Sequence, residues 1–185
     1  MDANNVSFGK PKATGCVFVA AYGTELPTDG TSPLNAGFAN MGYISEDGYV
    51  DSIETETASV KDWGGKEVLS SQSSFKETHT VNFLEANEDV LKAYYGAENV
   101  TKDGSNFTVK EKGAELPTVS VVIETVLTGG RVRRIVIPMA KLTDRSGDRT
   151  YKSDEAIVYP AKFSASPDAS GTYHYEYTAT TSVTG

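Results

Sequence analysis

Cysteine is nearly absent: Cys16 is the single one in 185 residues. One thiol cannot cross-link a chain to itself, so a disulfide scaffold is excluded. Histidine is almost as scarce, with only His79 and His174. Both fall inside alternating strand patterns, and with a lone cysteine they form no zinc-ligand spacing. Long hydrophobic runs are missing too, since none nears the roughly 18 residues that suggest a membrane span. Residues 1–5 carry neither the basic nor the apolar stretch of a secretory signal, so the expectation is a soluble chain made in the cytoplasm. Positive charge is in short supply. The 17 Lys and Arg against 25 Asp and Glu leave a formal charge of −8, and a surface of that sign repels nucleic acid.

Local catalytic signatures are also lacking. There is no Gly-x-Ser-x-Gly elbow, and the glycines stand singly or in pairs at turns, giving no phosphate cradle. Asp144, Asp148, Asp154 and Glu155 cluster in sequence but without calcium-loop spacing. Arg145, Arg149 and Lys152 alternate with them, which reads as a solvated charged loop. The expectation is no catalytic residue, no metal site and no cofactor, with both histidines satisfied by strand neighbours. Sequons at Asn5, Asn99 and Asn106 read as chance in a Ser/Thr-rich chain.

What is present is β-forming sequence with turn punctuation. Residues 15–22 read as an apolar strand, and 24–37 as a surface loop broken by Pro27, Gly30, Pro33 and Gly37. Residues 38–49 read as a strand or hairpin turning at Asp47-Gly48. The polar stretch 50–65 is a functional loop or a long hairpin tip. From 68 to 84 the chain alternates clearly. Phe75, His79, Val81 and Phe83 share one side, and Ser74, Lys76, Thr78, Thr80 and Asn82 share the other. A short helix follows over about 87–95, capped by Asn87, with Glu88 and Asp89 at its positive end and Gly96 beyond it. The second half gives a short strand at 106–112, a hairpin of 119–127 with 132–139, and a last hairpin of 156–165 with 171–180 around Ser166-Pro167-Asp168. Pro138 cannot donate to a ladder, which places it at an edge or a bulge. The domain reading is an N-terminal arm, 1–12, and a single β domain, 13–185, with the long loop 50–65 inside it.

Candidate contact residues come from the same pass. Trp63, a lone tryptophan in a polar stretch, either folds back on its own domain or anchors another chain. Ile53 and Val60 are the other large apolar residues of that stretch. Arg131, Arg133 and Arg134 form the densest basic cluster, better suited to an ion pair with a neighbouring subunit than to phosphate in so acidic a chain. Lys10 and Lys12 sit in the arm. Tyr173, Tyr175 and Tyr177 line one strand face, suited to a core or an interface more than to a stacking platform.

One series of features resembles a known family. Gly42-Tyr43-Ile44-Ser45-Glu46-Asp47-Gly48, then Trp63-Gly64-Gly65, then the long strand and the capped helix Asn87 to Gly96 occur in the order of the tail tube (major tail) proteins of long, non-contractile-tailed bacteriophages. The resemblance covers residue 4 to about 100 most clearly and the rest more loosely. It implies a mainly β fold, a β-sandwich or split barrel with one short flanking helix and extended arms and loops. It also implies a structural virion protein, made in the host bacterium, that stacks as hexameric rings into a tail tube and is not an enzyme. DNA would pass through without specific binding, and partners would be copies of the chain with tape measure and tail terminator proteins. Arms and long loops would clasp neighbouring subunits, and the face Ser74, Lys76, Thr78, Thr80, Asn82 is the candidate lumen wall. The alternative is a carbohydrate-binding or adhesin β-sandwich that uses its tyrosines.

Overall fold

The computed structural model describes residues 6–145 and 147–180. The first five residues of the expected arm, with Asn5, lie outside them. Eleven strands and one α-helix follow in order: β1 (Gly9–Pro11), β2 (Val17–Ala21), β3 (Ala39–Asn40), β4 (Ile44–Lys61), β5 (Glu67–Phe83), α1 (Glu88–Tyr95), β6 (Val100–Asp103), β7 (Asn106–Val109), β8 (Thr118–Leu127), β9 (Arg131–Asp144), β10 (Tyr159–Ser166) and β11 (Tyr175–Thr180). Nine strands make one antiparallel sheet ordered β3-β2-β8-β9-β10-β5-β4, with β1 on β8 and β11 on β9. The pair β6-β7 stands apart. The mainly β class with one short helix is what the sequence predicts.

Alternation builds a core on each face. Val17 and Val19, Val121 and Ile123, Ile135 and Ile137, Ala161 and Phe163, and Val81 and Phe83 join one cluster, and Val90, Leu91 and Tyr94 of α1 pack into it. Strands β2 and β5 lie four strand spacings apart, roughly 19 Å along a flat sheet. Strands β8, β9 and β10 between them carry the cluster across, with the helix packed on the same face. Ala20, Phe38, Val122 and Val136 form the smaller cluster on the other face, covered by Leu26, Leu34, Tyr175 and Tyr177. The helix starts where the sequence places it: Asn87 Oδ1 accepts from the Val90 amide at 2.9 Å, and the Gly96 amide closes the last turn on Lys92 O. Cys16 lies in the larger core, where burial pushes its thiol up to about 11 and keeps it protonated.

The structure decides several local expectations. Asp47-Gly48 makes no hairpin turn; β4 runs through it, and the register slips between Ile44 and Tyr49. Gly48 takes φ +73° there, a conformation glycine supplies without a Cβ clash, so the turn signal becomes a bulge. Of the two readings of 50–65, the long hairpin tip holds and the open loop does not: residues up to Lys61 belong to β4, and the chain reverses over 62–66. The last two strands do not pair with each other. Instead β10 pairs with Met139 to Asp144 and β11 with Arg131 to Val136, side by side on one edge of β9. Asp168 does make a turn, accepting from the Ser170 and Thr172 amides at 2.8 and 3.1 Å, but it is an excursion that returns to the same edge. Pro138 sits at the handover, within the irregularity where β9 carries one residue more than β8, the kind of bulge that tolerates a missing N–H. Strand β6, the partner of β7, is not evident in the sequence pattern. Arm residues Gly9 to Pro11 dock on the chain's own β8.

Candidate assembly interface

Strand β5 has 17 residues, about 55 Å at the usual rise. Only Thr78 to Phe83 pair with β10; from Glu77 back to Glu67 the strand pairs with β4 alone. The two strands therefore leave the sheet as a two-stranded ribbon of roughly 30 Å. Every residue from Glu54 to Ser74 is exposed. A free two-stranded ribbon is marginal in water, and its outer edges offer unsatisfied backbone groups to another chain. What stiffens it is local. Lys76 pairs with Glu54 at 3.4 Å, Ser74 Oγ donates to Glu56 at 3.1 Å, and Val60 faces Leu69 across the ladder.

The tip is a tight turn. The Lys66 amide donates to Asp62 Oδ1 at 2.9 Å, and the Gly65 amide to Asp62 O at 3.0 Å. Trp63 stands at this tip with 105% of its reference surface accessible. It does not fold back on its own domain. Ile53, Val60, Val68 and Leu69, also on the ribbon, are each more than half exposed. Val68 and Leu69 escape sequence reading because alternation assigns one of any such pair to a buried face, and here neither face is buried.

The arginine cluster splits by strand alternation. Arg133, 3.8 Å from Glu176, remains at the surface. Arg131 donates to Ser7 Oγ at 2.6 Å, tying down the chain just before β1. Arg134 points the other way and is 1% exposed, so its assignment to a subunit contact is corrected. Its guanidinium donates to Glu124, to Asp29 O at 2.8 Å and to Ser32 O at 2.8 Å. It thereby holds the loop 24–37 over the smaller core. Lys12 reaches the same carboxylate at 2.7 Å, whereas Lys10 is exposed on β1. Of the lumen candidates, Ser74 and Lys76 are exposed and Thr80 and Asn82 half-buried. Thr78 is 2% exposed and cannot form a wall. The tyrosine row divides: Tyr175 and Tyr177 stack over the smaller core, and Tyr173 packs on Phe75 with ring centroids 4.6 Å apart. This is the core reading, and it leaves no open aromatic platform of three rings. The charged loop is anchored rather than merely solvated. Arg145 reaches Glu111 at 2.8 Å, and Arg149 lies over the Tyr95, Tyr151 and Tyr159 rings.

The histidines are not isolated from each other. Their rings meet edge to face with centroids 6.0 Å apart. Glu77 lies between them, 2.5 Å from His174 Nδ1 and 2.9 Å from His79 Nε2. Tyr49 Oη lies 2.7 Å from His79 Nδ1. Burial lowers the His79 pKa against the pull of Glu77, which favours neutral imidazole. The sequence offered one hint: Glu77 occupies the apolar side of an alternating strand, where a carboxylate needs a partner.

A family model for phage tail tube proteins matches residues 2–181 of the chain. No curated protein matches it. No helix among the described residues is long and apolar enough to cross a membrane.

Proposed function

From the premise that this chain belongs to the phage tail tube protein family, and is therefore a structural component of a virion tail, we propose that it stacks as hexameric rings into the tube of a long, non-contractile tail. The tube is the conduit for DNA ejection. The observation that carries this reading is the freestanding ribbon β4-β5, an exposed pair of strand edges with Trp63 at its tip. Such a surface is a liability in a monomer and a contact in an assembly. Ile53, Val60 and Trp63 contact an adjacent subunit or ring. Lys10, Arg131 and Arg133 are the remaining polar contact candidates, with Lys12 already paired within the chain. The mechanism is passive, resting on geometry and electrostatics without turnover. Tape measure and tail terminator proteins are the chain's further partners.

Negative-stain microscopy of the purified protein over time tests this. Rings or tubes are the expected result. A stable monomer that binds glycans would move the reading to the carbohydrate-binding alternative. Hydrogen exchange adds a second readout: ribbon amides at 54–74 exchange fast in the monomer and become protected in the tube. Equal, strong protection in both states would remove the ribbon from the interface.

The lumen wall in this proposal is the β5 face Ser74, Lys76, Thr80 and Asn82. Its one lysine is matched by Glu54, and Glu56 lies opposite Ser74, so β5 contributes no surplus cation for phosphate, and Lys162 of β10, opposite Thr80, is a single positive charge beside it. A polyanion slides past such a wall, since retention needs several neutralised phosphates. Ser74→Lys combined with Thr80→Lys is expected to slow ejection several-fold while tubes remain normal. Unchanged ejection kinetics would assign the lumen to another face.

A further inference from the structure

We propose that Glu77, His79 and His174 form a binding site for one divalent transition metal ion, with zinc the best-matched. Glu77 and His79 come from β5, and His174 from the segment immediately before β11. Their ligand atoms, one from each residue, lie within 4.8 Å of one another. Two imidazoles and one carboxylate make a three-residue donor set that zinc accepts with a fourth position left for water.

Three further observations point to a ligand. His79 is 1% exposed, and its Nε2 has no hydrogen-bond partner. Glu77 Oε1 stands 2.9 Å away as an ion-pair contact. A buried polar nitrogen without a partner is costly unless something fills the gap. The outer partner of His79 also suits a metal site. Tyr49 Oη at 2.7 Å can accept the Nδ1 proton of His79, which leaves the Nε2 lone pair for a metal. An outer group on the second ring nitrogen is the usual support of a ligating histidine. Glu176 Oε1, 4.0 Å from His174 Nε2, is beyond hydrogen-bond reach and adds only its negative charge nearby. His174 is 22% exposed, giving an entry path. A cleft of about 550 Å³ bordered by Tyr49, Asp51, Arg133 and Glu176 opens beside the cluster.

Binding is a substitution with simple proton bookkeeping. Glu77 Oε1 and His174 Nδ1 are hydrogen-bonded at 2.5 Å. The metal takes the place of the proton between them, which moves to His174 Nε2 where that nitrogen is bare and otherwise leaves to buffer, and Glu77 Oε1 and His174 Nδ1 each donate a pair to the metal. The two contacts at 2.5 and 2.9 Å must open to the roughly 3.3 Å that tetrahedral bonds of about 2.05 Å require. The consequence is mechanical. Glu77 lies one residue beyond the last ladder pair with β10, at the root of the ribbon. A metal here fastens that root to the segment before β11 and fixes the direction in which the ribbon leaves the body.

The test uses the full-length protein stripped with a chelator and titrated with Zn²⁺. Wild type is expected to take up one equivalent. At zinc a hundredfold above its dissociation constant, the thermal midpoint should rise by about 5–10 °C. Co²⁺ should give the visible absorption of a four- or five-coordinate site. His174→Ala, at a partly exposed position, should fold normally, bind zinc at least 100-fold more weakly and show no thermal shift. Glu77→Gln keeps the side-chain shape and should lose the same uptake, providing a second variant if the first fails to fold. No stoichiometric uptake by wild type, or uptake unchanged in His174→Ala, would overturn the proposal. Either result leaves the tube reading untouched, because assembly is scored separately by microscopy.

Discussion

Trp63→Ala is expected to block tube formation and leave the monomer as stable as before. The indole is fully exposed in the isolated chain, so truncating it removes almost no intramolecular contact. Its neighbours at the tip, Asp62, Gly65 and Lys66, hold the turn through backbone groups and the Asp62 carboxylate, none of which involves the indole. The thermal midpoint of the monomer should therefore move by no more than about 1 °C. In an assembly the balance reverses. A tryptophan anchor at an interface contributes about 2 kcal/mol or more, which weakens each contact about 30-fold. The contact recurs on every subunit, so the concentration needed for polymerisation should rise by at least that factor. Microscopy and sedimentation across a concentration series read the first effect, and calorimetry of the unassembled protein reads the second. Tubes forming at the wild-type concentration would remove Trp63 from the interface. A large drop in midpoint would show a fold contact not visible in the isolated chain.

Arg134→Met should act in the opposite way, destabilising the subunit itself. Arg134 and Glu124 are each 2% exposed at their side chains. Removing one partner of a buried ion pair costs about 3–5 kcal/mol, because the other charge is left uncompensated. Lys12 still reaches Glu124, but it is partly exposed and cannot replace the donors to Asp29 O and Ser32 O. Those carbonyls hold the loop whose Leu26 and Leu34 cover the smaller core. For a chain of this size the midpoint should fall by about 10 °C or more. Arg133→Met, two-fifths exposed and only loosely paired with Glu176, is the control and should change stability by about 0.5 kcal/mol or less. Adding Glu124→Leu to Arg134→Met should recover part of the loss, since it removes the stranded carboxylate. A midpoint unchanged by Arg134→Met would mean the pair contributes nothing to the fold.

Much of this molecule is legible in its residues. The mainly β class, the long strand near 68–84, the Asn87-capped helix and the hairpin across Thr128-Gly129-Gly130 are local events. Alternation, caps and turn glycines act over a few residues, and their energies do not wait for the rest of the chain. Trp63 could be singled out on the same grounds, as a large apolar residue with no local apolar neighbours. The family resemblance follows the same local series. Sequence left three matters open or misjudged. Ser166-Pro167-Asp168 turns the chain, but whether the flanking strands pair with each other or share one edge of β9 depends on where β9 runs. Arg131, Arg133 and Arg134 look alike in a row, but a period of two sends Arg134 to a buried carboxylate on β8, a partner set by long-range register. His79 and His174 lie 95 positions apart, and only the pairing of β5 with β10, and of β10 and β11 with one edge of β9, brings His174 onto Glu77. Spacing along the chain determines local geometry. Pairing between strands, and with it every contact that crosses the sheet, is decided when the chain closes on itself.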